Sequence, residues 1–326
     1  MVRSAYLLLL LAIVCSAESR ATESRAAQSP VDIDTAADVY QAAQVRAQVR
    51  ASLGSMPLKI RQMFASDRSA ALSEQHLDAV TAAAKHAFQI TIFEPPALNA
   101  FANNLDAATV KKSLAFLGSD VGQRMVAADV ALAQADEAKI DAIMSGEIGA
   151  TSTPEREALT RQLEQDTQST ESAVAVYLKI GKALAVGTAI GSGMDPKAAA
   201  EQAEHAANAL ARENLANNLR EPLRRYIAYG YRDLSDADLK QLTAFLESVA
   251  GKRFVTAYNA AMDAGYDAMS QRCGEQIGES WRELAQAEAS APEMLAAPPA
   301  VPPGAGAPPA GPAPPAAVPP NPAPAH

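Results

Sequence analysis

The sequence predicts an all-α protein: two related multi-helix units arising from an internal duplication, followed by a disordered C-terminal tail. Three observations predict it. Alanine is abundant and aromatic residues make up 5% of the chain, so most windows favour helix over strand. Apolar residues recur at steps of three and four behind Ser, Thr or Asp caps. A motif near residues 105–126 returns near residues 234–255 at constant spacing.

Residues 1–17 read as a signal peptide, because Arg3 precedes an apolar run from Tyr6 to Val14 and Cys15-Ser16-Ala17 fits cleavage after Ala17. The run is too short to cross a bilayer. Lipid attachment at Cys15 is the alternative, and Val14 is bulkier than the small residue such sites carry. The first unit covers residues 30–145, with helices predicted near 34–52, 57–65, 74–91, 96–104, 107–117 and 120–144. Ser73 ahead of Glu74 is a cap, and Gly146 with Gly149 breaks the pattern after Met144.

Across the Gly/Ser/Thr stretch 145–153 lies the second unit, residues 154–290, with helices predicted near 155–190, 196–217, 222–232, 236–247 and 249–288. Thr153-Pro154 and Asp195-Pro196 each place a cap before a proline whose missing N–H costs nothing in a first turn. Gly191-Ser192-Gly193 ends the apolar run that starts near Val174. In the last helix Val255, Tyr258, Met262, Tyr266, Met269, Cys273, Ile277, Trp281 and Leu284 form one stripe. Residues 291–326 collapse to Pro, Ala, Gly and Val, with Glu293 and His326 as their ionisable side chains. Such a segment has little to bury and is expected to stay extended, with a contour of about 110 Å at ~3.1 Å per residue.

Charge and cysteine content narrow the chemistry. With 37 acidic and 28 basic residues and a net charge of −9, the chain lacks the general basic surface that nucleic-acid binding needs. Cleavage after Ala17 leaves Cys273 as the sole cysteine, so an exported form has no internal disulfide and relies on helix packing. Its place on the apolar stripe favours a buried thiol over a reactive one.

The repeat is read residue by residue. Phe116 and Phe245 set an offset of 129 positions, which also pairs Leu105 with Leu234, Ser119 with Ser248, Gly122 with Gly251 and Arg124 with Arg253 without a gap. Leu234 precedes the cap Ser235, and Asp238 stands where its carboxylate reaches back to complete a capping box. Asp106 and Thr109 take those places in the first copy. Ser119 and Ser248 mark corners into the next helix, and a glycine just inside each corner implies close approach of two backbones. Residues 234–254, Leu-Ser-Asp-Ala-Asp-Leu-Lys-Gln-Leu-Thr-Ala-Phe-Leu-Glu-Ser-Val-Ala-Gly-Lys-Arg-Phe, resemble the signature of bacterial envelope proteins grouped as domain of unknown function 2059. The resemblance is clearer at 220–275 and degenerate at 92–145. It implies a periplasmic helical module with no established reaction. Family members often carry Pro after the corner Ser, where this chain has Asp120 and Val249.

Arg220, Arg224, Arg225, Tyr229 and Arg232 form a basic-aromatic cluster in an acidic chain, a candidate interaction patch for an anionic glycan, a lipid headgroup or a partner helix. The alternative is structural: half-buried tyrosines, and arginines paired with acids such as Glu221 and Asp233. His76 and His205 share the 129-residue offset, but neither has a second ligand at helical metal spacing. Gly187 and Gly191 have the spacing of a membrane helix-pairing motif; Lys179 and Lys182 interrupt that apolar segment, which favours a buried core helix. Nucleophile and phosphate-loop signatures are missing, so no catalytic residue, metal or cofactor is expected. The function expected is a non-enzymatic envelope module that binds an envelope protein, a glycan or itself, with no transmembrane span once the leader is removed. A cell-wall hydrolase or lyase using carboxylates in an inter-repeat cleft is the alternative.

Overall fold

The computed structural model describes residues 30–66, 72–209 and 212–290; the expected signal peptide and tail lie outside them. The described residues form fourteen α-helices and no strand. The first eight are α1 (Ile33–Ala42), α2 (Val45–Leu53), α3 (Met56–Ser66), α4 (Glu74–Ala87), α5 (Ile90–Asn104), α6 (Ala107–Leu117), α7 (Asp120–Ala133) and α8 (Glu137–Ser145). Six follow: α9 (Pro154–Thr167), α10 (Ser169–Gly191), α11 (Pro196–Ala209), α12 (Arg212–Gly230), α13 (Asp236–Glu247) and α14 (Val249–Ser290).

Caps act as their chemistry dictates. Ser73 accepts the His76 N–H at 3.4 Å and Thr153 accepts the Arg156 N–H at 3.2 Å. Gly146 closes α8 with φ +88°, a left-handed conformation that glycine adopts at no steric cost. Three predicted helices are broken where periodicity alone showed continuity. Residues 34–52 divide at Gln44 (φ 51°), with the Ala43 carbonyl taken by the Gln48 side chain at 2.9 Å. Residues 155–190 divide at Gln168 (φ 56°), and residues 120–144 divide before Asp136, which caps Lys139 N–H at 2.8 Å. Each break re-aims an apolar face that one straight helix would carry away from the core.

Pro154 and Pro196 open α9 and α11 as expected, whereas helices expected to start at Pro96 and Pro222 start earlier. Helix α5 runs through Pro95 and Pro96 and α12 runs through Pro222. Each interior proline forfeits about 3 kcal/mol of helix stability. Burial on the same helices, of Phe93, Ala97 and Phe101 in α5 and Leu219, Leu223 and Tyr226 in α12, offsets that loss. The segment predicted as 74–91 ends at Ala87, and the one predicted as 222–232 ends at Gly230.

The fold is organised around α14, whose 42 residues span roughly 60 Å. Helix α10 packs along one flank and α5 along another, with α4, α6 and α13 completing the cover. The predicted stripe is buried from Val255 to Trp281, and burial pushes the Cys273 thiol up to about 12. Glycines set the α10–α14 crossing. A Cβ on Gly187 would stand 2.7 Å from the Gly274 carbonyl carbon, and one on Gly191 would stand 2.7 Å from the Trp281 Cβ. The spacing that resembled a membrane pairing motif therefore serves a crossing within this chain. By length and apolarity α10 could cross a membrane; here it packs on α14 and α11, with Lys179 paired to Asp263 and Lys182 to Glu204. One buried cluster runs from Ala36 to Trp281 through both units, and the boundary expected at 145–153 falls in the connection between α8 and α9.

Candidate functional site

The two motif stretches meet face to face. In each, the corner serine donates to a phenylalanine carbonyl, Ser119 to Phe116 and Ser248 to Phe245, both at 2.6 Å. Each serine also accepts the N–H of its glycine, at 3.2 Å for Gly122 and 3.0 Å for Gly251. A Cβ would stand 2.8 Å from the Leu117 Cα at Gly122 and 2.7 Å from the Leu246 Cα at Gly251, the close approach that the sequence implies. The capping box of Ser235 and Asp238 forms, and Asp106 caps Thr109 N–H at 2.7 Å.

Contacts between the stretches are reciprocal. The Phe116 and Phe245 rings stack with centroids 4.0 Å apart and planes within 2°. Arg124 pairs with Asp238 at 2.6 Å, and Arg253 pairs with Asp106. Each arginine thus binds an acid in the opening turn of the opposite stretch.

Residues of both stretches line a cavity of about 140 Å³. Helix α7 lines it with Met125, Asp129, Leu132 and Ala133, and α14 with Phe254, Val255, Tyr258, Met262 and Tyr266. Gln48, Val49 and Ser52 of α2, Leu163 of α9, Tyr226 of α12, Tyr231, and Leu242 and Leu246 of α13 close the remaining sides. At the 129-residue offset Met125 corresponds to Phe254 and Asp129 to Tyr258, and all four line the cavity.

Asp129 is the one acid in that lining. Burial pushes its carboxyl up to about 7, against a smaller downward pull from its hydrogen bond with Tyr231. Asp129 and Tyr231 are both half-buried and both line the cavity. Burial also raises the phenols of Tyr226, Tyr231 and Tyr266, which keeps them protonated as donors. The Tyr258 hydroxyl donates to Gln48 Oε1 at 3.1 Å. A neighbouring hollow of about 180 Å³ shares Ser52, Leu132, Ala133 and Tyr226 with the first and adds Lys59, which is 2% exposed. Burial lowers the Lys59 ammonium, opposed by Glu137 and Asp141.

The basic-aromatic cluster is engaged inside the fold. Glu164, 2% exposed, receives Arg224 on Oε2 at 3.2 Å and Arg220 on Oε1 at 3.7 Å, and Oε1 also accepts from Thr170 Oγ1 at 2.6 Å. Arg225 donates to the carbonyls of Met144 and Ser145, both at 3.1 Å, and so caps the end of α8. Arg232 lies beyond its helix, folded over the Tyr229 ring at 4.2 Å, and pairs with Asp233 at 3.3 Å. Arg225 also meets Glu221 at 3.6 Å. His76 packs edge-on against Trp281 with ring centroids 4.9 Å apart, and His205 is exposed on α11.

Asp129 and Lys59 were not singled out from sequence. The signal was legible for Asp129, since Val121, Met125, Asp129 and Leu132 share one helical face and an acid interrupts an apolar row. No curated protein and no solved structure matches the chain. Residues 226–279, which carry the end of α12, the capped helix α13, the corner at Ser248 and the cavity wall of α14, match the family described as "Uncharacterized protein conserved in bacteria (DUF2059)".

Proposed function

We propose that this is an exported helical binding protein of the bacterial cell envelope whose cavity between the two motif stretches holds a small ligand without covalent chemistry. The observation that carries the reading is the cavity itself. About 140 Å³ stays unfilled where side chains from α2, α7, α9, α12, α13 and α14 converge, in a protein whose interior is otherwise close-packed. The mixed wall, apolar with a few polar groups converging from several helices, is the usual make-up of a small-molecule site. Paired carboxylates, the basis of the hydrolase alternative, are not what lines this cavity, since Asp129 stands there as a single acid.

Duplication belongs to the same reading. The stacked phenylalanines and crossed arginine–aspartate pairs are the contacts that a repeated unit would make when folded onto its own copy about a local two-fold. Export is supported by Arg3, the apolar run from Tyr6 to Val14 and the small residues ending at Ala17.

The test is a fragment screen by ligand-observed NMR on the purified protein and on Ala133→Leu, which fills part of the hollow. Fragments of about six to nine heavy atoms bind the parent and lose binding in the variant. Equal binding to both, or none to either, sinks the cavity reading. For export, protein recovered from the envelope fraction should begin at Glu18; a start at Met1 removes that half.

A further inference from the structure

The chemistry of the cavity wall says more than that a small molecule fits, and this step rests on the reading just given. Among the lining residues Asp129 is the one acid, with no lysine or arginine among them. Three phenols surround it from other helices or their ends. Tyr231 is hydrogen-bonded to its carboxylate, Tyr226 of α12 lies near enough to feel its charge, and Tyr258 of α14 lines the same cavity. The remainder of the lining is apolar, led by Met125, Leu163, Leu246, Val255 and Met262.

Three classes of ligand can be compared against that wall. An anion would meet the Asp129 charge with no cation to compensate it, a costly arrangement away from water. A hydrocarbon would fill the space and leave the carboxylate with the Tyr231 hydroxyl as its donor but with no counter-charge. An organic cation satisfies both requirements, because its ammonium pairs with the carboxylate while its polarised C–H and N–H groups are attracted to aromatic rings. Size sets the scale of the hydrocarbon part. The hollow of 140 Å³ is close to the ~150 Å³ that accommodates a benzene ring.

We propose that the cavity is a receptor for a small organic amine, its ammonium held by Asp129 among Tyr226, Tyr231 and Tyr258 and its hydrocarbon part enclosed by the apolar walls. Asp129 is the residue that selects charge, and the tyrosines reinforce the selection. The carboxylate accepts the ammonium directly, so exchange for the isosteric amide keeps the shape and removes the selectivity.

Three probes of one shape separate the possibilities: benzylamine, benzyl alcohol and benzoate, each titrated calorimetrically into the purified protein and into Asp129→Asn. Benzylamine is expected to bind about tenfold more tightly than benzyl alcohol, with benzoate weakest. In Asp129→Asn that preference should fall to within about twofold while benzyl alcohol binding persists, which shows that the variant still folds and still has its cavity. If benzyl alcohol binds the parent as well as benzylamine does, the amine inference is overturned and the cavity reading stands. Unchanged selectivity in Asp129→Asn also overturns it. If none of the three binds, both the inference and the cavity reading fail.

Discussion

The stretches 105–133 and 234–262 build the same corner and then part company. Both have a capped helix, a serine that bonds back to a phenylalanine carbonyl and a glycine pressed against the preceding turn. Past the corner, the first stretch presents Met125, Asp129 and Ala133 to the cavity, and the second presents Phe254, Tyr258 and Met262 at the matching positions. Helix α7 stops at Ala133, while α14 continues to Ser290 and gathers α5 and α10 around it. The comparison teaches that the corner is the invariant part of the design and the wall is the adjustable part. Smaller side chains on one stretch leave the hollow, and the single acid among them gives it polarity.

The sharpest way to break the comparison is at Asp129, through pH. Its carboxyl titrates near 7 in the folded state and near 4 in the unfolded chain, so between those values unfolding releases a proton that the native state retains. Stability is therefore highest below about pH 4 with respect to this group, falls as pH rises and levels off above about 7, for a total of up to about 4 kcal/mol. Asp129→Asn should lose that slope and be more stable than the parent at pH 8, as read by urea unfolding at a series of pH values. The phenols of Tyr226 and Tyr231 do not mask the effect, since burial raises both and keeps them neutral over this range. An unchanged slope in the variant would mean that Asp129 is solvated.

Next in size are the corners. Gly122→Ala and Gly251→Ala each force a methyl into backbone and should cost about 3 kcal/mol. Similar losses in chemical denaturation would support equivalence of the two corners; a loss at one alone would break it. Smallest is the coupling between the stacked rings. Phe116→Ala, Phe245→Ala and the double variant should give an interaction energy of about 1 kcal/mol beyond the individual losses. Additive losses would show that the rings stack without holding the stretches together.

Much of this architecture was legible in the sequence because it is local. Ser73, Thr153, Asp106, Ser235 and Gly146 act through hydrogen bonds or backbone angles within a few residues, and the α14 stripe follows from helical period alone. What failed was set by distant partners. Gln44 and Gln168 adopt left-handed angles to redirect faces toward helices remote in sequence, and Pro95, Pro96 and Pro222 survive inside helices because burial elsewhere compensates. The candidate patch shows the same limit. Nothing near Arg224 in sequence announces Glu164, 60 residues away, as its partner. Asp129 was hidden for a related reason, since the tyrosines that share its cavity come from the C-terminal end of α12, the residue after it and the first half of α14.

Trp281 is the single tryptophan of the chain, and it is 8% exposed between the rings of Phe64 on α3 and His76 on α4. One fluorophore therefore reports whether the α3–α4 pair is seated on the far end of the long helix, in a region remote from the hollow. Emission that reddens before helical circular dichroism is lost would reveal that pair peeling away as a separate step, with no label attached.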